Sequence, residues 1–277
     1  MLPEPWDPTI RSDPHRYWNA LRDLEPVAAR VGPVTGQTFW LLTRYEDCVA
    51  ALRSQTIGKE PEKHLDPSRL FDAGDQGPFD TLGRNMLFLD PPDHTRLRGL
   101  VREGFSNRAV DALVPRIDAI VSELLDGLDD RREFDLIESF ALPLPVTVIA
   151  EMLGVPASDQ GRFRDWTDAV LGRGATIDQS MAAGMEIIQY LNELADLRRA
   201  DPQDDMISFL LHAEEDGDRL DHQEFLAMVF LLLIAGHETT VNLIGNGVLE
   251  LTRHQDEFTR LLSGDVSVES ATEELLR

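Results

Sequence analysis

FLAMVFLLLIAGHETT, Phe225 to Thr240, is the stretch on which the fold turns. Phe225 to Ile234 is apolar on every side, so a helix built from it has to be enclosed by other helices rather than laid on a surface. Immediately upstream, Asp221-His222-Gln223-Glu224 has the form of a capping box, with Asp221 receiving backbone N–H groups and Glu224 reaching back. Together they predict a long core helix over 222–253. Gly236 inside that helix costs about 1 kcal/mol relative to Ala, which calls for compensation such as a flat object lying close to bare backbone. The Thr239 hydroxyl is placed to bond the carbonyl of Ala235 four residues earlier, and that competition with the helical ladder predicts a local bulge. Glu238 is an acid in an apolar helix, costly unless paired, hydrated or used. A helical zinc-protease site needs a second His four residues after His237, and Val241 stands there.

Outward from this helix the pattern is mainly α with a small N-terminal β-sheet. Ser12-Asp13-Pro14 starts a short amphipathic helix carrying Tyr17, Trp18 and Leu21, which Glu25-Pro26 ends. VAARV and TFWLLTRY flank the turn-forming GPVTGQ and read as a strand pair, the only clear sheet, and YEDCVAALRS returns to a helical period. Residues 55–84 are rich in Pro, Gly and Asp without a steady period, which suits a mobile binding loop or lid. Further helices are predicted over 93–104, 107–129, 135–153, 158–172, 177–199, 204–214, 255–262 and 268–277. With no repeat and no linker-like shift, residues 1–277 read as a single domain.

The chain has 277 residues, 42% of them hydrophobic, and a formal charge of −24. That charge disfavours nucleic acid and anionic membranes, whose phosphates are held by Lys and Arg. Cys48 is the only cysteine, so no intrachain disulfide forms and no multi-cysteine metal site exists. The acid- and proline-rich N-terminus lacks the form of a secretion signal, and the apolar run to Gly236 falls short of the ~20 residues of a membrane span, so a cytoplasmic setting is expected.

Ala235, Gly236, His237, Glu238 and Thr239 resemble the oxygen-binding stretch of the cytochromes P450: small residue, Gly, any residue, acid, Thr. Three more signatures follow the family's order. WLLTRYEDCVAALRS resembles its first sheet and second helix; FLDPPDHTRLRGLVREGFSNRAV resembles the haem-propionate helix of soluble bacterial members, with His94 and Arg98 in the HxxxR places; EELLR supplies the ExxR ion pair as Glu274 and Arg277. His94 and Arg98, four apart, share a helix face on which two donors can bond one carboxylate.

The resemblance implies haem (iron protoporphyrin IX), electrons from NAD(P)H through a redox partner, and insertion of one oxygen atom from O2 into an apolar small-molecule substrate. Thr239 and Glu238 take the catalytic roles, Thr239 hydrogen-bonding the dioxygen and Glu238 relaying protons. His94, Arg98, Ala235 and Gly236 are placed at the cofactor, and Leu231 and Ile234, on the face of Thr239, at the substrate. Arg96, Arg98, Arg102 and Arg108 stand against only Asp93 and Glu103, so a ferredoxin or similar acidic donor is expected to dock near Arg96 and Arg102.

The family's thiolate ligand lies beyond ExxR, where this chain stops, and Cys48 lacks the Gly-rich cysteine loop and reads as a buried small apolar residue. The expectation is therefore an incomplete P450, inactive alone, whose complete parent is a haem-thiolate monooxygenase. A non-catalytic helical binding or regulatory protein derived from such an enzyme is the alternative. A metal-dependent hydrolase has only scattered histidines behind it.

Overall fold

Side-chain caps set the starts of the main helices in the computed structural model, which describes residues 2–32, 36, 38–64, 77–130, 132–170, 175–215 and 218–277. The chain falls into two compact units, Met1–Pro67 and Ser68–Arg277.

In the first unit, Asp13 accepts from the Arg16 N–H at 3.1 Å and opens α1 (Pro14–Leu24), whose Tyr17 and Leu21 are buried with Ile10 and Ala28. Strands β1 (Val27–Val31) and β2 (Thr38–Leu42) pair antiparallel from Val27↔Leu42 to Val31↔Thr38, the strand pair predicted around GPVTGQ. Helix α2 (Tyr45–Arg53) has no fully buried residue. Cys48 is accordingly half-buried rather than a core residue, and its thiol donates to the Leu42 carbonyl at 3.4 Å. The short α3 (Pro61–His64) interrupts the segment read as a loop, and 65–76 lies outside the described residues.

The second unit is helical: α4 (Pro78–Leu82), α5 (Asp93–Arg102), α6 (Asn107–Asp126), α7 (Pro143–Leu153), α8 (Gln160–Val170), α9 (Ile177–Ala200), α10 (Met206–His212), α11 (His222–Arg253), α12 (Gln255–Leu262) and α13 (Val268–Leu275). One core joins α5, α7, α8, α9, α10 and the first half of α11 through Leu97, Leu153, Phe163, Ile187, Leu191, Ile207, Leu210, Met228 and Leu233, all at most 2% exposed. A smaller cluster of Ala141, Leu142, Val146 and Val241 continues it along α11.

Three expectations are corrected here. The helix predicted over 135–153 is two pieces: a π-helical turn, Ile137–Ala141, precedes α7. Pro143 and Pro145 have no N–H to give to the ladder, and the Leu142 N–H reaches back five residues to Ile137 instead, at 2.9 Å. The N-terminal sheet is not alone, since Glu214–Glu215 (β3) and Asp218–Arg219 (β4) form a two-residue antiparallel pair just before α11. Finally, α11 as a whole is long and apolar enough to cross a membrane by length and composition; in this fold it is the core helix.

Candidate functional site

Helix α11 begins as its sequence dictates. Asp221 accepts from the Glu224 N–H at 2.8 Å and the Glu224 carboxylate accepts from the Asp221 N–H at 2.9 Å, closing the capping box. From Phe225 to Val229 every side chain is buried. Beyond that the faces diverge. Leu233, His237 and Val241, spaced by four, stay buried, and the His237 Nδ1 sits 2.8 Å from the Leu233 carbonyl. The other face opens: Leu231, Ile234 and Glu238 are half-buried, and Ala235 and Thr239 are exposed. The enclosure expected for the whole run to Ile234 therefore holds for one side of the helix and fails for the other.

The predicted bond from the Thr239 Oγ1 to the Ala235 carbonyl forms at 2.8 Å, and Thr240 repeats it to Gly236 at 3.3 Å. The predicted bulge does not follow: α11 runs as one α-helix through His222–Arg253. A carbonyl oxygen has two lone pairs, so Ala235 accepts the hydroxyl beside its place in the backbone ladder instead of surrendering that place. Gly236 has a packing reason that sequence alone did not suggest. A Cβ there would lie 2.8 Å from the Ile149 Cδ1 of α7, so the missing side chain lets the two helices close on each other.

On α5, His94 is half-buried and Arg98 exposed, four residues apart on a continuous helix as predicted. Between them Arg96 is committed to internal partners. Its guanidinium holds Glu224 in a two-point ion pair and lies 3.4 Å from Asp218 of β4, so its charge is neutralised inside the fold and it does not present a docking cation. The Glu224 hydrogen bond is the main reason that the Arg96 pKa rises above its usual value. Glu274 and Arg277 form the expected ion pair at 3.1 Å, with side chains 72% and 80% exposed, where water screens most of its strength.

What the fold brings together is thus a strip along the middle of a core helix, with Leu231 and Ile234 half-buried, Ala235 and Thr239 exposed, and Glu238 beside it. The His94–Arg98 pair on α5 belongs to the same helical unit. Sequence reasoning missed the anchoring of the opposite face by His237 and the α7 contact at Gly236. His237 carried a signal in retrospect, since it keeps the four-residue spacing of Leu233 and Val241.

A relative from Saccharopolyspora erythraea, cytochrome P450 107B1, is 46% identical over 275 residues, covering 98% of this chain and 67% of its own. The chain belongs to the cytochrome P450 family. A family profile described as Cytochrome P450 matches residues 173–263. The P450 PksS of Bacillus subtilis, named for polyketide biosynthesis, is 36% identical over 283 residues. Its solved structure superimposes with a TM-score of 0.89, covering 99% of this chain and 68% of that one. A myxobacterial P450, CYP267B1, solved with myristic acid, gives 0.88 at 41% identity, covering 99% of this chain and 69% of its own. The chain therefore spans about two thirds of the length of these P450 relatives, and its mainly helical architecture is theirs.

Proposed function

We propose that this P450 chain carries the oxygen-side wall and the propionate clamp of a haem monooxygenase acting on an apolar small molecule. The observation that supports this reading most is the uncovered strip on α11, where the small Ala235 and the hydroxyl of Thr239 stand open beside buried core. The residues present fit one face of a haem: small side chains leave room for a flat macrocycle, and His94 with Arg98 gives two donors for its propionates. Family relatives named for polyketide chemistry, and one solved with a fatty acid, point to an extended apolar substrate, with Leu231 and Ile234 as the contact surface. Residues 1–277 are taken as part of one such domain, in the cytoplasm.

Haem, when bound, supplies the reductive activation of dioxygen and the transfer of one oxygen atom to the substrate. Thr239 handles the proton. At rest its Oγ1 donates to the Ala235 carbonyl, leaving its lone pairs on the open side to accept from water. Rotating the hydroxyl outward turns Thr239 into a donor at the cost of one hydrogen bond, about 1 kcal/mol, so the switch is shallow. Glu238, next in the chain and half-buried, is the carboxylate that resupplies the proton from solvent. No residue of this chain is assigned as a thiolate that would hold the haem; Cys48 keeps its bond to the Leu42 carbonyl. Electrons arrive from NAD(P)H through an acidic donor such as a ferredoxin, docking near the exposed Arg102 and Arg108.

In the haem-loaded enzyme, Thr239→Ala is expected to keep haem and substrate binding while lowering product per NAD(P)H and raising peroxide release. Unchanged product per NAD(P)H contradicts the role given to Thr239.

A further inference from the structure

Three directions around α5 are occupied. At 100° per residue, Leu97, Leu100 and Val101 form its buried stripe; Arg96 stands roughly 90° to one side of that stripe and the His94–Arg98 pair roughly 90° to the other. The buried stripe sets which side of this ten-residue helix faces the core, and bonded partners of defined geometry narrow the roll that remains. The ion pairs of Arg96 reach far along the chain, to two partners on separate elements: Glu224 in the first turn of α11 and Asp218 in β4. Glu224 is itself fixed by the capping box through the Asp221 N–H. Its side chain and that of Arg96 are 19% and 28% exposed, which shelters the pair from solvent more than an ordinary surface pair.

We infer that Arg96 is a positioning residue: it fixes the roll of α5 against the first turn of α11 and so aims His94 and Arg98 at the carboxylates they hold. The inference rests on the propionate reading of His94 and Arg98 given above. It also accounts for an arginine that neither the haem face nor a docking surface uses.

The test titrates hemin, and protoporphyrin IX dimethyl ester, which has no free carboxylates, into the 277-residue chain and its variants. Histidine ring resonances are recorded separately in the pigment-free protein. Glu224→Gln keeps the capping box, because Gln serves at that position as Glu does, and removes only the charge facing Arg96. Arg96→Met and Glu224→Gln are each expected to weaken hemin about fivefold, the scale of a lost supporting contact, while the ester is unaffected. Both shift the His94 ring resonances and leave those of His254, at the far end of α11, in place. Arg96→Lys, which keeps the charge, recovers most of both effects.

Equal weakening of hemin and ester by Arg96→Met, with unmoved His94 resonances, makes Arg96 a stability residue only and overturns the inference. So do wild-type hemin affinity and wild-type resonances in that variant. If His94→Ala and Arg98→Ala leave hemin affinity unchanged, the propionate reading fails, and a His94 shift in Arg96→Met still upholds the roll while its absence overturns it. The same resonances decide the matter if the wild-type chain takes up neither pigment.

Discussion

The two faces of α11 share one backbone and one run of apolar residues, yet they meet different fates. Leu233, His237 and Val241 are each buried, and a glycine at 236 lets Ile149 of α7 come into contact. On the face of Leu231, Ala235 and Thr239 no described residue covers the helix to the same depth: Leu231 is half-buried and Ala235 and Thr239 are exposed. Hydrophobicity alone therefore does not decide burial here; the position of the neighbouring helix does. The difference also separates residues that hold the fold from residues left available for chemistry.

Truncation on the closed face tests that separation hardest. Leu233→Ala removes a side chain that is 2% exposed and is expected to destabilise by ~2–5 kcal/mol in urea unfolding, because the neighbours relax only partly into the cavity. A loss no greater than that of an exposed site would erase the distinction between the faces. Next in size is Gly236→Ala. The new methyl meets the Ile149 Cδ1, and overpacking of ~1–3 kcal/mol works against a helix-propensity gain of about 1 kcal/mol, leaving a net loss of at most ~2 kcal/mol. Adding Ile149→Val deletes the clashing methyl, so the double variant should recover stability relative to Gly236→Ala; additive losses would show that the α7 contact is not why the glycine is there.

Asp221→Ala sharpens the comparison at the shared start of both faces. It removes the bond to the Glu224 N–H and should cost ~1 kcal/mol, with hydrogen exchange rising in the first turn of α11 and not around His237. The smallest effect belongs to the open face. Thr239→Ala should change stability by less than ~0.5 kcal/mol, since its hydroxyl only shares a carbonyl already bonded in the ladder. A large thermal destabilisation would mean that Thr239 is structural and would remove the reason for giving it the proton.

Much of this was legible in the sequence because the signals are local. The capping box at Asp221 and Glu224, the Pro14 start of α1, and the strand pair around GPVTGQ each depend on residues within a few positions of one another. The back-bond of Thr239 was legible for the same reason; its consequence was not, because a second lone pair on Ala235 removes the competition that a bulge requires. The π turn at Ile137–Ala141 follows from Pro143 and Pro145, a local signal that the apolar periodicity of 135–153 masks. Non-local facts stayed hidden. Arg96 looked like one of four cations facing a partner, and its carboxylate lies 128 residues further along the chain. Gly236, read as space for a macrocycle, also faces Ile149 of α7, a contact that no local signal announces. Charge spacing and glycine content report what a segment can do, whereas the partner that uses it is set by packing.

The account stands or falls on whether the open strip of α11 receives haem. Ala235 is exposed, so Ala235→Phe should leave the unfolding midpoint of the chain nearly unchanged while filling the space beside Thr239. Hemin titrated into both proteins, followed by its absorption band, gives the most direct reading. Loss of hemin binding in Ala235→Phe with the fold intact is the expected result, and wild-type affinity in that variant would contradict the assignment of this strip to the cofactor.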